Sequence, residues 1–313
     1  MGVMAGRLCA VLLLAIPFLG GCTTADSIGP ASDQWELLFE DDFRTESWLD
    51  RSWLWFTHPA DWSAYDNAYG AGNDESACLR PENLTAGADG LVITARSDSV
   101  ICATGEARDY TSGFLGGREA DRLWPVEARF EIRARVPQGQ GLWPAFWLRH
   151  RDGAQRAEVD VFEVFHAQYP DSVVQTLHLP GQVRRSHVVR TGGPDEWHVY
   201  GAQVTADDAG RAMFRWFVDG RETFSTTSSE SVAALGGSDP EQTWDMAINL
   251  AVGGRWTGDP QGPVGYLAGP GVCAQTYQPP PGGDPEQCPT AQIRPSEFPA
   301  EMNVDWVRVY IPD

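Results

Sequence analysis

The chain has no lysine; all 23 of its basic residues are arginine. That absence excludes mechanisms that need a lysine amine, such as a Schiff base or a P-loop. No two cysteines have the CxxC spacing of a zinc site. No long segment carries an apolar stripe at helical period, and strands do not alternate with helices, so neither a helical bundle nor a parallel α/β sheet is expected. Positive charge is scarce overall, with 43 acidic side chains giving a net charge of −20. Nucleic acid and anionic membranes both demand basic patches, and are excluded as partners. A strongly anionic polysaccharide is disfavoured for the same reason, unless arginines cluster locally. At 313 residues with 42% hydrophobic and 11% aromatic content, the chain has ample material for a core, and wholesale disorder is excluded.

One apolar run, Leu8 to Leu19, follows Arg7 and is too short to span a bilayer as a mature helix. It closes on Leu19-Gly20-Gly21-Cys22, which resembles the lipobox of bacterial lipoproteins. The resemblance implies a signal peptide over residues 1–21, lipid on Cys22 and an exported protein whose contact with membrane is through that anchor. Ordinary secretion with nearby cleavage is the alternative. Residues 22–33 are small and polar and read as a flexible tether. In an oxidising compartment, Cys78, Cys102, Cys273 and Cys288 allow three pairings. The sequence-local choice is Cys78 with Cys102 and Cys273 with Cys288, each stapling a loop.

From Trp35 onward the chain reads as short β-rich runs separated by turns such as Asp89-Gly90, Asp152-Gly153 and Asp219-Gly220. Clear examples are Leu91–Arg96, Ala128–Val136, Met213–Val218 and Asn303–Tyr310, while Ser231 to Leu235 fits one helical turn. This pattern predicts an all-β antiparallel sandwich. Residues 260–299 hold ten of the 22 prolines and read as a long loop. Strands continue on both sides of it, so residues 34–313 form one domain.

The chemistry lies in Glu158-Val159-Asp160-Val161-Phe162-Glu163. On a regular strand Glu158 and Asp160 share a face, and Glu163 falls on the valine face, where an unpaired carboxylate is costly. One extra residue near Phe162, a β-bulge, returns Glu163 to the face of the other two acids. Three acids on one face repel, which raises the pKa of at least one, as a general acid requires. A solvated acidic strand and a divalent-metal cluster are the competing readings. Just upstream, Gly141-Leu142-Trp143-Pro144-Ala145-Phe146-Trp147 carries two tryptophans whose faces suit sugar rings. Trp143 suits a cleft wall, and Trp147 also suits the core. The total of 13 tryptophans exceeds what a core of this size needs.

Together these segments resemble glycoside hydrolase family 16 in its bulged ExDxxE form, most like bacterial laminarinases. Leu38–Phe43, Arg80–Arg96, Ile248–Gly254 and Val304–Tyr310 are similar to further segments of that family. The resemblance implies a β-jelly roll of two curved antiparallel sheets around an open cleft. It also implies retaining hydrolysis of internal β-linkages without a cofactor: Glu158 is the nucleophile, Glu163 the acid/base, and Asp160 tunes the nucleophile. His178 matches a histidine near the cleavage point, with a hydrogen-bonded sheet histidine as the bland alternative. Asn73, in Gly72-Asn73-Asp74-Glu75-Ser76, matches a stretch at the cleft, with Asp74 departing from the family's asparagine. Trp256 reads as a further platform or as loop packing. A structural Ca²⁺ is implied at Glu40, Gly90 and Asp305. The substrate implied is a β-1,3-glucan, hydrolysed by a monomer. A galactan hydrolase of the same family and a non-catalytic glycan-binding jelly roll remain open.

Overall fold

The computed structural model describes residues 34–44, 73–102, 105–116, 122–152, 157–165, 169, 171–180, 185–261 and 296–313. Cys22, Cys273 and Cys288 lie outside them, as does most of the proline-rich loop. Alternation in the sequence becomes sheet: Phe130, Ile132 and Ala134 are fully buried, while Arg133 and Arg135 between and beyond them are not. In chain order the strands begin with β1 (Trp35–Asp41), β2 (Ala77–Leu79), β3 (Leu84–Gly87), β4 (Gly90–Ala95), β5 (Val100–Ile101) and β6 (Ala107–Arg108). Next come β7 (Tyr110–Ser112), β8 (Phe114–Gly116), β9 (Ala128–Arg135), β10 (Leu142–His150), β11 (Glu158–Glu163) and β12 (Ser172–His178). The last are β13 (Arg185–Arg190), β14 (His198–Ala206), β15 (Arg211–Val218), β16 (Arg221–Ser231), β17 (Trp244–Val252) and β18 (Ala300–Pro312). The expected helical turn is α1 (Val232–Gly236), capped where Ser231 Oγ accepts a hydrogen bond from the Ala234 amide at 3.1 Å.

The jelly-roll sandwich is built from two antiparallel sheets, as the sequence predicts. One sheet has eight strands in the order β16-β15-β14-β9-β18-β4-β3, with β1 also pairing to β18. The other has six, in the order β13-β12-β11-β10-β17-β8. Their inner faces share one apolar core: Phe130, Ile132, Phe214 and Trp216 from the first meet Phe146, Leu148, Val159 and Phe162 from the second. Fully burying each such side chain contributes about 1.5–3 kcal/mol. The Phe162 and Tyr200 rings lie 4.4 Å apart across the layers. The Cys78–Cys102 bridge is present, with α-carbons 5.6 Å apart. It ties β2, which runs parallel to β7 beside the six-stranded sheet, to the short β5–β6 hairpin.

The residues expected to cage calcium on the outer face do not form an open oxygen site. Both carboxylate oxygens of Asp305 accept from guanidinium groups, Oδ1 from Arg44 and Oδ2 from Arg133 at 2.5 Å. Glu40 accepts from Arg308 at 2.9 Å. Gly90 (φ 85°) is pressed so closely on the Val304 carbonyl that a Cβ would sit 2.3 Å from it. Arginine charge therefore already balances the carboxylates that a cation would need. The expected outcome is a melting temperature unchanged by EDTA, checked by calorimetry with and without added Ca²⁺. Arg44→Ala is expected to cost about 1 kcal/mol or less, because that side chain is partly in water. A clear drop with EDTA would return calcium to this site.

Candidate active site

The strand β11 departs from regular pairing at one point. Against β10, Glu158 faces Arg149 and Asp160 faces Trp147, yet Phe162 faces Phe146 and Glu163 faces Ala145. Against β12, Asp160 faces Thr176 and Glu163 faces Val174, so Val161 and Phe162 together oppose a single residue, Gln175. This is the expected bulge. Its effect is to send Val159, Val161 and Phe162 all into the core, each fully buried. Glu158, Asp160 and Glu163 emerge together on the opposite face. The tryptophan Nε1 of Trp216, reaching from the other sheet, donates to the Asp160 carbonyl at 2.8 Å, beside the point where the ladder is broken.

These acids line a cleft of about 290 Å³ on the outer face of the six-stranded sheet. Trp143, Trp147, His178, Asn73 and Trp256 line it too, so every site residue read from the sequence for substrate and catalysis meets in one place. The environments of the two glutamates differ. Glu163 is nearly buried, and its Oε1 accepts from Trp143 Nε1 at 3.1 Å. Glu158 is more open, with 27% of its side chain exposed. His178 Nε2 lies 3.6 Å from Glu158 Oε1 and 3.2 Å from the buried Asp160 Oδ2, bridging the two acids. A less solvated carboxyl beside a more solvated one is the arrangement that separates an acid from a nucleophile. Glu158, Asp160 and His178 also lie close enough to hold a metal ion. A line of two strand acids and one histidine has no cage around it, however, and all three groups are turned to the cleft.

The tryptophans are aimed by hydrogen bonds at their polar edges. Trp147 Nε1 donates to Asn249 Oδ1 at 2.8 Å, and its ring meets Phe114 edge-on at 6.4 Å. Trp256 Nε1 donates to Asn73 Oδ1 at 3.2 Å. The Gly253-Gly254 turn makes that contact possible: both glycines have positive φ, and a Cβ on Gly254 would lie 2.7 Å from the Asn73 carbonyl. Asp74, the departure from the family pattern, points to Arg255 at 2.6 Å, and that guanidinium holds its carboxyl below the usual range.

Glu75, Asn249 and Phe114 line the cleft but were not singled out from sequence. The first two lie inside segments already noted, Asn73–Ser76 and Ile248–Gly254; Phe114 carried no signal. Glu75 is the most perturbed of them. Burial pushes its carboxyl up to about 7, against a weaker opposing hydrogen bond from Asn73 and the charge of Arg108. A carboxyl raised in the folded state stabilises that state at low pH, and the contribution is lost as pH rises through the folded pKa. For Glu75 the loss runs from about 4.5 to about 7. Glu75→Gln, neutral at every pH, is expected to gain on the parent across that window. The gain should reach on the order of 2–3 kcal/mol by pH 8, read from denaturant melts at pH 4, 6 and 8. A constant difference at all three would show that Glu75 does not titrate there.

Comparison with known proteins places this geometry. Residues 126–266 match the family described as glycosyl hydrolases family 16. A β-glucanase from Rhodothermus marinus is 30% identical over 302 residues, covering 88% of this chain and 85% of its own. The endo-β-1,3-glucanase of Pyrococcus furiosus superposes with a TM-score of 0.63 at 25% identity, covering 89% of this chain and 95% of that one. The laminarinase of Rhodothermus marinus gives 0.60 at 27%, covering 89% and 98%. With the bulged acid strand, the aromatic cleft and relatives matched along almost their whole length, the chain belongs to glycosyl hydrolase family 16 and is a glycoside hydrolase.

Proposed function

We propose that the protein is an endo-acting, retaining β-glycosidase that cleaves β-1,3-glucan. The observation that carries this reading is the bulge, which gathers Glu158, Asp160 and Glu163 on one cleft face beside Trp143 and Trp147. In the proposed reaction Glu158 attacks the anomeric carbon while Glu163 gives its proton to the departing glycosidic oxygen. The glycosyl-enzyme ester is then opened by water, whose proton returns to Glu163. Trp143 fixes the Glu163 carboxyl through Nε1. Asp160 and His178 orient Glu158 and share its charge. The choice of β-1,3-glucan is supported by the named activities of the relatives, endo-β-1,3-glucanase and laminarinase.

Two experiments test the proposal. Reducing ends should appear from laminarin and curdlan at least tenfold faster than from carboxymethylcellulose. Activity confined to agarose or carrageenan would instead make the protein a galactan hydrolase, and none on any glycan would make it a binding protein. Azide separates the roles of the two glutamates. Glu158→Ala lacks the nucleophile, so azide entering that space should yield the α-glycosyl azide. Glu163→Ala still forms the ester from substrates with good leaving groups, and azide opening it should yield the β product. Proton NMR distinguishes the anomers, and the reverse pair of products would exchange the two assignments.

A further inference from the structure

The registers of four strands put four charged or titratable residues in a single transverse row. Asp245 of β17 faces Arg149 of β10, Arg149 faces Glu158 of β11, and Glu158 faces His178 of β12. The pairing of β10 with β17 is unbroken from Leu142 to His150. Arg149 therefore shares the face of Trp143, Ala145 and Trp147, and Asp245 shares that of Asn249 and Ala251. Those neighbours line the cleft, as do Glu158 and His178, so Arg149 and Asp245 continue the row on the same sheet face, buried beside the cleft. Arg149 and Asp245 are bonded to each other, and both are buried, at 6% and 0% exposure. The Arg149 guanidinium also lies over the Trp147 ring, 5.1 Å from its centroid.

A buried ion pair contributes little to stability compared with apolar side chains of the same volume, so its presence beside the acid strand calls for another role. Its orientation supplies one. The strand spacing sets Glu158 about 5 Å sideways from Arg149 and about 10 Å from Asp245. In strand order the positive end of the pair is the nearer, so the pair's own contribution at Glu158 is positive. We propose that Arg149, clamped by Asp245, is a positioning residue that keeps the nucleophile carboxylate of Glu158 ionised while its plane fixes Trp147. The inference rests on the proposed role of Glu158. The other titratable groups that line the same cleft among the described residues are Asp160 and Glu163 on the strand of Glu158, His178 on β12, and Glu75. The two acids on the strand oppose its ionisation, and the pair on β10 and β17 offsets them.

The test is the acid limb of kcat/KM against pH, measured on laminarin for the folded full-length enzyme. That limb reports ionisation of the free enzyme, here of the coupled group containing Glu158. Arg149→Met leaves Asp245 negative and should move the limb up by roughly one pH unit or more. Asp245→Asn leaves Arg149 positive and should move it down. Arg149→Lys keeps the charge and should leave the limb near its original position, while KM rises through the loosened Trp147. The double variant Arg149→Met with Asp245→Asn buries no unpaired charge. It carries the test if the single methionine variant does not fold, with an expected rise of about half a unit. A merely structural pair would lower kcat or the melting temperature in all four variants without opposite shifts of the limb. Unmoved limbs, or single variants shifting the same way, overturn the inference. Failure of the underlying assignment would appear separately, as loss of the α-azide product from Glu158→Ala.

Discussion

A β-strand turns alternate side chains to opposite faces, and Glu163 lies five positions after Glu158. That parity forbids the two carboxyls from sharing a face on any regular strand. One additional residue at Val161–Phe162 resolves the conflict, and most of what the molecule does depends on it. The local cost is a broken ladder, and the structure meets it from two sides. Val159, Val161 and Phe162 are driven into the apolar core between the sheets, and Trp216 satisfies a carbonyl at the break from the opposite layer. The bulge is held because a well-packed interior lies directly beneath it. The acids above it gain a rigid base that no loop would provide.

The cleft-side face of the six-stranded sheet is then a grid. Strand direction sets which acids share the face, and strand pairing sets what stands beside each of them. One row carries Asp245, Arg149, Glu158 and His178, the next carries Ala247, Trp147, Asp160 and Thr176, and the third Asn249, Ala145, Glu163 and Val174. The first row is the most charged of the three. Glu158 thus stands beside Arg149 and His178, whereas Glu163 stands between Ala145 and Val174 and accepts from the Trp143 indole. Two chemically identical side chains receive different surroundings from the pairing alone.

The strands were legible because each is half core and half surface, and the alternation of Ala128–Val136 or Asn303–Tyr310 records that directly. The bulge was legible by contradiction, since Glu163 on the valine face would be an unpaired buried charge. The Cys78–Cys102 pairing followed from proximity in sequence. Pairings between distant segments were not legible. Nothing in Leu148-Arg149-His150 reveals that Asp245, nearly a hundred residues later, lies across the strand boundary. Glu75 was visible as a residue, but its proton affinity comes from burial beneath a cleft rim that only the fold assembles. Asp305 reads as a ligand until Arg44 and Arg133 are brought to its two oxygens.

The aromatic rings of the molecule carry arginine planes at several places. Arg129 lies over Phe217 at 4.1 Å, Arg133 over Trp197 at 4.7 Å and Arg308 over Trp306 at 4.0 Å, besides Arg149 over Trp147. A lysine in such a stack would begin to lose its charge in mild alkali; a guanidinium does not. The phenols nearby are held back as well, since burial raises Tyr200 far above its ordinary value and Tyr310 to about 12. These contacts therefore carry the same charges at pH 11 as at pH 7. The electrostatic response of the protein is therefore concentrated in its carboxylates and histidines.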